Sequence, residues 1–335
     1  MFKHFLLFFL MLLNLSATPA TAATMPSFSD YNQPPIVHQG GVNQNGRLQV
    51  IGTQLCNADG QPVVLRGMSS HGLQWYGQFT SAQAMANTAE YGANVFRLAM
   101  YTAEGGYLSQ PGLKETVKNG VNAAIQNDMY VIIDWHILSD GNPMTHLEEA
   151  KAFFKEMAQL YKDTPNVIYE ICNEPNNVSW AGEVRPYAEA VTAAIRAEDE
   201  QALILIGSPT WSQDVHLAAA NPLPGHNLMY TCHFYAGTHG EWLRQRVDEA
   251  LQAGLPIFFS EWGVSRADGG GGVFLDEAEK WLQFMNQRGL SWCGWSLCDK
   301  NESSAALNPG VSPNEPWTEQ QLSEAGRFIF SHFKD

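Results

Sequence analysis

Asn166-Val-Ile-Tyr-Glu-Ile-Cys-Asn173-Glu174-Pro175-Asn176 reads as a short buried strand that stops at a proline. Proline has no amide to give to a ladder, so the strand must end before Pro175. Asn173 and Glu174 then stand at the carboxyl end of an apolar strand, the end at which parallel α/β folds build their sites. On its own an Asn-Glu-Pro tripeptide is a weak signal, and an exposed loop charge is the plain alternative.

The flanking sequence alternates in the same way. Upstream, strand-like runs at Val63 to Met68, Asn94 to Met100 and Tyr130 to His136 are each followed by a helical pattern. Thr80-x-x-Gln83 and Thr145-x-x-Glu148 resemble capping boxes, and Pro111 sits near the first position of a helix reaching about Asp128. Downstream, strands are expected at Ala202 to Gly207, Leu228 to Tyr235, Pro256 to Gly263 and Ser291 to Leu297. Helices are expected at Val184 to Ala197, Val215 to Ala220, Trp242 to Ala253, Phe274 to Arg288 and Glu319 to Phe333. Eight strand-helix units over roughly 250 residues predict a (β/α)8 TIM barrel in the α/β class. An open doubly wound sheet is the alternative, but no Gly-rich phosphate turn follows the first strand. Gly269-Gly-Gly-Gly272 lacks that context and reads as a flexible loop. Leu48 to Leu55 and Pro62 to Leu65 flank Asp59-Gly60, which predicts a short N-terminal β-hairpin ahead of the barrel.

Residues 1–23 carry Lys3 and His4, an apolar run from Phe5 to Leu13 and small residues ending at Ala23. This is the pattern of a secretory signal, and the run is too short to span a bilayer. A flexible lead-in is expected over 24–46 and the catalytic domain over 47–335. The mature chain is expected to be exported, extracellular or periplasmic, with no membrane association after cleavage and with a monomer as the default. The sequence holds 34 acidic and 19 basic residues, a formal net charge of −15, which argues against a nucleic acid partner. The five cysteines, at 56, 172, 232, 293 and 298, form no CxxC pair; their odd number leaves at least one thiol free even after export.

Polar and aromatic residues collect at the carboxyl ends of the strands. In chain order they are His71 and Trp75, Arg97 and Tyr101, His136, Asn173 and Glu174, Trp211, His233 and Tyr235, Glu261, then Trp295 with Lys300 and Glu302. Glu174 and Glu261 follow the fourth and seventh strands, on opposite sides of a barrel mouth. Two opposed carboxylates are the minimum equipment for glycoside hydrolysis. Arg97 beside one would lower its pKa, and apolar packing would raise that of the other. Trp75, Trp211 and Trp295 are flat surfaces suited to pyranose faces. His71, His136 and His233, with Asp134 nearby, also fit a hydrolytic zinc site, although that reading leaves Glu261 without a role.

Taken together, these segments resemble family 5 of the glycoside hydrolases, most closely its bacterial endo-β-1,4-glucanase branch. The resemblance rests on Leu65-Arg-Gly-Met-Ser-Ser-His71-Gly-Leu-Gln-Trp75, Asn94-Val-Phe-Arg97-Leu-Ala-Met-Tyr101, Val131-Ile-Ile-Asp-Trp-His136, Ile168-Tyr-Glu-Ile-Cys-Asn173-Glu174-Pro175, His233-Phe-Tyr235, Phe259-Ser-Glu261-Trp-Gly and Trp295-Ser-Leu. It implies a retaining double displacement with Glu174 as general acid/base and Glu261 as nucleophile. Asn173 would bond the 2-hydroxyl of the reacting sugar, and Arg97 and Tyr235 would hold the nucleophile. His136 and His233 would surround the acid/base and the sugar. Trp75, Trp295, Lys300 and Glu302 would contact the glycone, and Trp211 the aglycone. It implies no cofactor and no metal, and a β-glucan polysaccharide as partner; the sequence is expected to depart from the family in carrying no appended carbohydrate-binding module, which argues against strong processing of crystalline cellulose. The same carboxylate pair would serve a mannanase, a xyloglucanase or a mixed-linkage glucanase. A non-catalytic sugar-binding barrel is the alternative from another class, discouraged by the presence of both Glu174 and Glu261.

Overall fold

Side chains of a strand alternate between faces, and that alternation organises this molecule into concentric layers. The computed structural model describes residues 40–335. A helical turn, α1 (Val42–Asn45), and a two-stranded antiparallel hairpin, β1 (Gln49–Ile51) and β2 (Gln54–Cys56), precede the barrel. The barrel strands are β3 (Arg66–Ser70), β4 (Val95–Tyr101), β5 (Tyr130–His136), β6 (Val167–Glu170), β7 (Leu203–Ile206), β8 (Leu228–Tyr235), β9 (Ile257–Gly263) and β10 (Trp292–Leu297). All neighbours pair in parallel, and β10 closes on β3. Between and after them run α2 (Leu73–Tyr76), α3 (Ala82–Tyr91), α4 (Leu113–Gln126), α5 (Leu147–Tyr161), α6 (Arg185–Arg196), the single turn α7 (Pro209–Ser212), α8 (Val215–Ala220), α9 (Glu241–Gln252), α10 (Leu275–Arg288) and α11 (Glu324–Ser331). Among the described residues no helix is long and apolar enough to cross a membrane.

Outward residues such as Phe96, Leu98, Val131, Ile133, Tyr169, Ile204 and Phe259 pack against the helices. Their alternates Val95, Tyr130, Ile132, Ile168, Leu205, Met229 and Phe258 fill the lower half of the barrel. Leu48, Leu55, Val63 and Leu65 join that inner cluster, so the hairpin region plugs the barrel bottom.

Several local expectations are corrected. The hairpin turns at Gly52, whose φ of 60° suits glycine, within the run expected to be one strand. The Asp59-Gly60 turn is present as well, but it leads only to an isolated Cys56–Pro62 bridge. Residues 40–46, expected as the end of a flexible lead-in, hold α1: Val42 packs into the inner cluster and the Tyr130 hydroxyl donates to the Gly46 carbonyl at 2.6 Å. The segments expected at 1–23 and over 24–39 lie outside the described residues. The cap of α3 is Ser81, which accepts from the Ala84 amide, and not Thr80. Likewise Asn142 caps a 3-10 turn over Pro143–His146, so Thr145 opens no capping box. The sequence places Arg97 among the strand-end residues. Instead Arg97 is the third residue of β4 and fully buried, level with the inward-facing Asp134, Glu170 and Ser260. The alternation carries each of these into the barrel one step above the apolar plug, and an Arg there persists because carboxylates meet it.

Candidate active site

Above the plug, Arg97 is the hub. Its Nε and Nη2 reach Glu170 at 2.7 and 3.2 Å, Nη2 reaches Asp134 at 3.0 Å, and Nη1 reaches Glu261 at 2.9 Å. Nη2 also donates to the Asn173 side-chain oxygen at 2.6 Å. The planar guanidinium with its five donors is the side chain that can serve so many acceptors at once. Glu170 is ion-paired well enough that its pKa stays low, at about 2, despite burial.

The two carboxylates expected as catalytic sit on this hub with unlike surroundings. Glu261 has both oxygens held: Tyr235 donates to one at 2.6 Å and Arg97 to the other at 2.9 Å. Burial pushes its pKa up, but the charges of His233 and Arg97, with His136 and the Tyr235 hydroxyl, bring it below the ordinary carboxylate value. Glu174 receives only His233, whose Nδ1 lies 2.9 Å away. Its pKa is raised, by burial first and by the nearby charge of Glu261. The two carboxyls are thus shifted in opposite directions, Glu261 downward and Glu174 upward.

His233 ties the pair together. Its Nε2 contacts the Ser260 hydroxyl at 2.9 Å, and that hydroxyl donates to Glu170 at 2.7 Å. A continuous chain therefore runs Glu174, His233, Ser260, Glu170, Arg97, Glu261. Burial opposes a charge on His233, but Glu170 and Glu174 push its pKa up to about 9. A raised folded pKa stabilises fully below the unfolded value and loses that stability as pH rises through the folded one. His233 should therefore contribute on the order of 3 kcal/mol at pH 6, decaying toward pH 9. Urea unfolding of the wild type should weaken over that window, and His233→Asn should remove this component; equal pH slopes in the two proteins would refute it. His136 behaves oppositely: burial and Arg97 lower it to about 3, so it stays neutral, with Nδ1 2.6 Å from Asp134.

Around these groups opens a cleft of about 810 Å³. His71, Trp75, Tyr101, His136, Glu174, Trp211, His233, Tyr235, Glu261, Trp295, Lys300 and Glu302 all line it. The other two expected residues, Arg97 and Asn173, lie fully buried beneath. Asn173 keeps one amide N–H free, because Arg97 occupies its oxygen and Ile137 accepts only one of its two amide hydrogens. Trp75 and Trp211 are exposed in the cleft, whereas Trp295 is buried and forms the floor, stacked on His136 with centroids 5.4 Å apart. Lys300 pairs with Glu302 at 2.5 Å, and His71 lies 3.9 Å from Glu302. Gly269 borders the cleft at φ 80°, a backbone that favours glycine, and a Cβ there would come within 3.1 Å of the Glu302 carboxylate. A second pocket, about 710 Å³ and lined in part by Trp75, Gln78 and Asn122, contains no titratable lining residue.

The Trp211 platform is tied to the Glu174 segment. Thr210, Trp211 and Ser212 have φ of 58, 54 and 55°, a left-handed backbone that costs energy in non-glycine residues. It is held by the Trp211 amide on the Pro175 carbonyl at 3.0 Å and by the Ser212 hydroxyl on the Asn173 carbonyl at 2.6 Å.

The three histidines with Asp134 do not form a metal-ligand set. Among the described residues the one trio with ligand atoms converging within 4.8 Å is Glu174, His233 and Glu261. Both nitrogens of that His are already engaged, by Glu174 and Ser260. All five cysteines are buried free thiols, with no pairing among them. Sequence reasoning missed Glu170 and Ser260 and treated Asp134 only as a metal ligand. A charge inside the otherwise apolar run Val167–Glu170 was the signal for the first, because such residues are almost never buried unpaired. Trp242 and His239, which also line the cleft, follow the sixth barrel strand too far along for a strand-end reading.

Comparison with known proteins agrees with this geometry. The family model for cellulase (glycosyl hydrolase family 5) matches residues 56–301. An endoglucanase of Clostridium saccharobutylicum is 53% identical over 287 residues, covering 85% of this chain and 64% of that protein. Endoglucanase A of Evansella cellulosilytica is 57% identical over 273 residues, covering 81% of this chain and 56% of that protein. The chain thus spans between about half and two thirds of the length of these curated relatives. Among solved structures, the catalytic domain of Thermobifida fusca endoglucanase Cel5A in complex with cellotetraose superposes with a TM-score of 0.85 at 35% identity, covering 88% of this chain and 100% of that one. With the closed barrel, the ordered motifs and a family match over most of its length, this chain belongs to the cellulase family, glycosyl hydrolase family 5.

Proposed function

We propose that this protein is a retaining endo-β-1,4-glucanase in which Glu174 is the general acid/base and Glu261 the nucleophile. The observation that carries the reading is the pair of carboxylates in unlike protonation environments, their facing oxygens within 4.8 Å of each other. Retaining glycosidases hold their carboxyl groups about 5 to 5.5 Å apart, and inverting ones leave a wider gap for a water. In the first step Glu174 protonates the departing glycosidic oxygen while Glu261 attacks the anomeric carbon. In the second, ionised Glu174 takes a proton from water, which displaces Glu261. His233 supports both, because its bond to Glu174 is compatible with either protonation state. Tyr235 stays protonated, its pKa pushed far up by burial and the Glu261 charge, and it keeps donating to the nucleophile.

Trp75, Tyr101, Trp295, Lys300 and Glu302 would hold the glycone, with Asn173 on the 2-hydroxyl, and Trp211 the aglycone. The relatives' endoglucanase names and the cellotetraose complex of the structural neighbour support β-glucan as substrate. The charged, apolar and small-residue order of 1–23 supports export.

Product chromatography on carboxymethylcellulose, mannan and xyloglucan, with and without chelator, tests the reading. Short β-1,4-gluco-oligosaccharides, unaffected by chelator, are expected from the first substrate. Cleavage of mannan or xyloglucan instead would keep the mechanism and move the substrate; chelator sensitivity would revive the metal reading. Glu174→Gln is expected to lower turnover on the polysaccharide by about 10² to 10⁴-fold. Its loss should be much smaller in the first, glycosylation burst on an aryl cellobioside with a good leaving group, which needs no acid. Equal losses in both would remove Glu174 from the acid role.

A further inference from the structure

Glu174 and Glu261 follow β6 and β9, and these divide the barrel mouth into two arcs. On one arc, β10, β3 and β4 lead to Trp295, Lys300, Glu302, Trp75 and Tyr101. On the other lie only β7 and β8. The loop after β7 carries Trp211. The loop after β8 leads into α9, whose second residue is Trp242.

Trp242 is 46% exposed and lines the same cleft as Trp211 and the two carboxylates. A single exposed Trp on a helix is ordinarily no more than surface. This one is fixed in place. The Arg246 guanidinium, one helical turn on, lies 5.1 Å from the ring centroid and covers one face. The same guanidinium pairs with Asp214 at 2.5 Å and reaches the Gln213 carbonyl at 3.4 Å. Asp214 in turn accepts from the Thr210 hydroxyl at 2.6 Å, next to Trp211. One arginine thus fastens the Trp211-bearing loop to the start of α9, which carries Trp242. Trp211 is bonded directly to Pro175, whereas Trp242 is tied to the site through Arg246 and through His239, whose ring centroid lies 5.8 Å from its own and whose Nδ1 accepts from the Tyr235 amide.

We propose that Trp242 is an additional sugar platform on the leaving-group side, on the same arc as Trp211, that takes a glucosyl unit of the departing β-1,4-glucan chain. The proposal rests on the glucanase reading above. The uncovered face of the ring offers the flat apolar surface that a pyranose stacks on, and Gln213, also on the cleft wall, offers an amide to its hydroxyls. A platform there favours long substrates whose reducing-end part extends past the nearest leaving-group position.

The test compares kcat/KM on cellohexaose with kcat/KM on p-nitrophenyl cellobioside, whose leaving group fills only the nearest position. Trp242→Ala is expected to lower the long-to-short ratio about tenfold, on the scale of one aromatic contact. Trp242→Phe is expected to restore most of it. Because both substrates report on the same folded protein, a loss of folding cancels in the ratio. Cellohexaose cleavage should also shift in Trp242→Ala toward bonds that leave shorter departing fragments. A wild-type chain that cleaves both substrates, with a ratio that does not move in Trp242→Ala, overturns the platform alone. A wild-type chain that cleaves neither overturns the glucanase reading and the platform with it.

Discussion

Glu261→Ala is expected to lower β-glucan turnover on the order of 10⁵-fold while leaving the fold intact. Loss of a nucleophile removes the covalent route altogether, which is the scale seen when such residues are deleted elsewhere. The fold should survive because the charge balance around Arg97 survives. Arg97 would still face Glu170 at 2.7 Å, which stays ionised with its pKa at about 2, and Asp134, whose pKa burial pushes well up. The vacated space adjoins the Tyr235 hydroxyl and the Arg97 Nη1, two donors that held the carboxylate and can hold a small anion. External azide should therefore enter from the nucleophile's side and give a glycosyl azide of inverted anomeric configuration from an activated aryl cellobioside. NMR of that product decides the roles. An azide of retained configuration from this variant would assign Glu261 to the acid/base side and reverse the two roles.

The second large effect is on stability. Arg97→Met should cost about 5 kcal/mol or more, an amount comparable with the whole stability of many domains. The residue is fully buried and ion-paired to Asp134, Glu170 and Glu261, all buried as well. Removing the cation leaves carboxylates facing one another without water, and breaking even one buried pair costs about 3–5 kcal/mol. The pH dependence gives the loss its signature. Glu170, with a folded pKa lowered to about 2, contributes stability above the ordinary carboxylate value and loses it as pH falls toward 2. Without Arg97 the sign reverses: the carboxylates bind protons more readily when folded, so acid relieves the variant. The gap in urea unfolding between wild type and Arg97→Met should narrow from pH 7 to pH 4. A gap that is below about 1 kcal/mol at pH 7, or that does not narrow in acid, would show the cluster to be a minor contributor. Arg97→Lys should fall between the two, since one ammonium cannot span three carboxylates.

The order and type of the barrel elements were legible because they rest on local rules. Strand alternation, prolines and turn glycines act over a few residues, and eight such units in series admit few closures. The strand-end residues were legible for the same reason, and all but Arg97 and Asn173 of the expected set line one cleft. Errors fell at the caps of α3 and α5 and in the first hairpin, where adjacent candidates such as Thr80 and Ser81 differ only in tertiary fit.

By itself, then, the sequence determined the barrel, the strand ends and the two opposed carboxylates. The tertiary structure decided how deep each inward-facing residue sits, and with it the chemistry. Arg97, Asp134, Glu170 and Ser260 share one level only because four strands are staggered around a closed barrel, and no local pattern encodes that stagger. The opposite pKa shifts of Glu174 and Glu261 follow from burial weighed against the charges of His233 and Arg97, and of the two carboxylates only Glu261 accepts from Arg97. The tie between Trp242 and the Trp211 loop likewise depends on one arginine of α9 reaching Asp214, 32 residues away in the chain. Charges interact through space and are weighted by burial, so their effect could not be read along the chain.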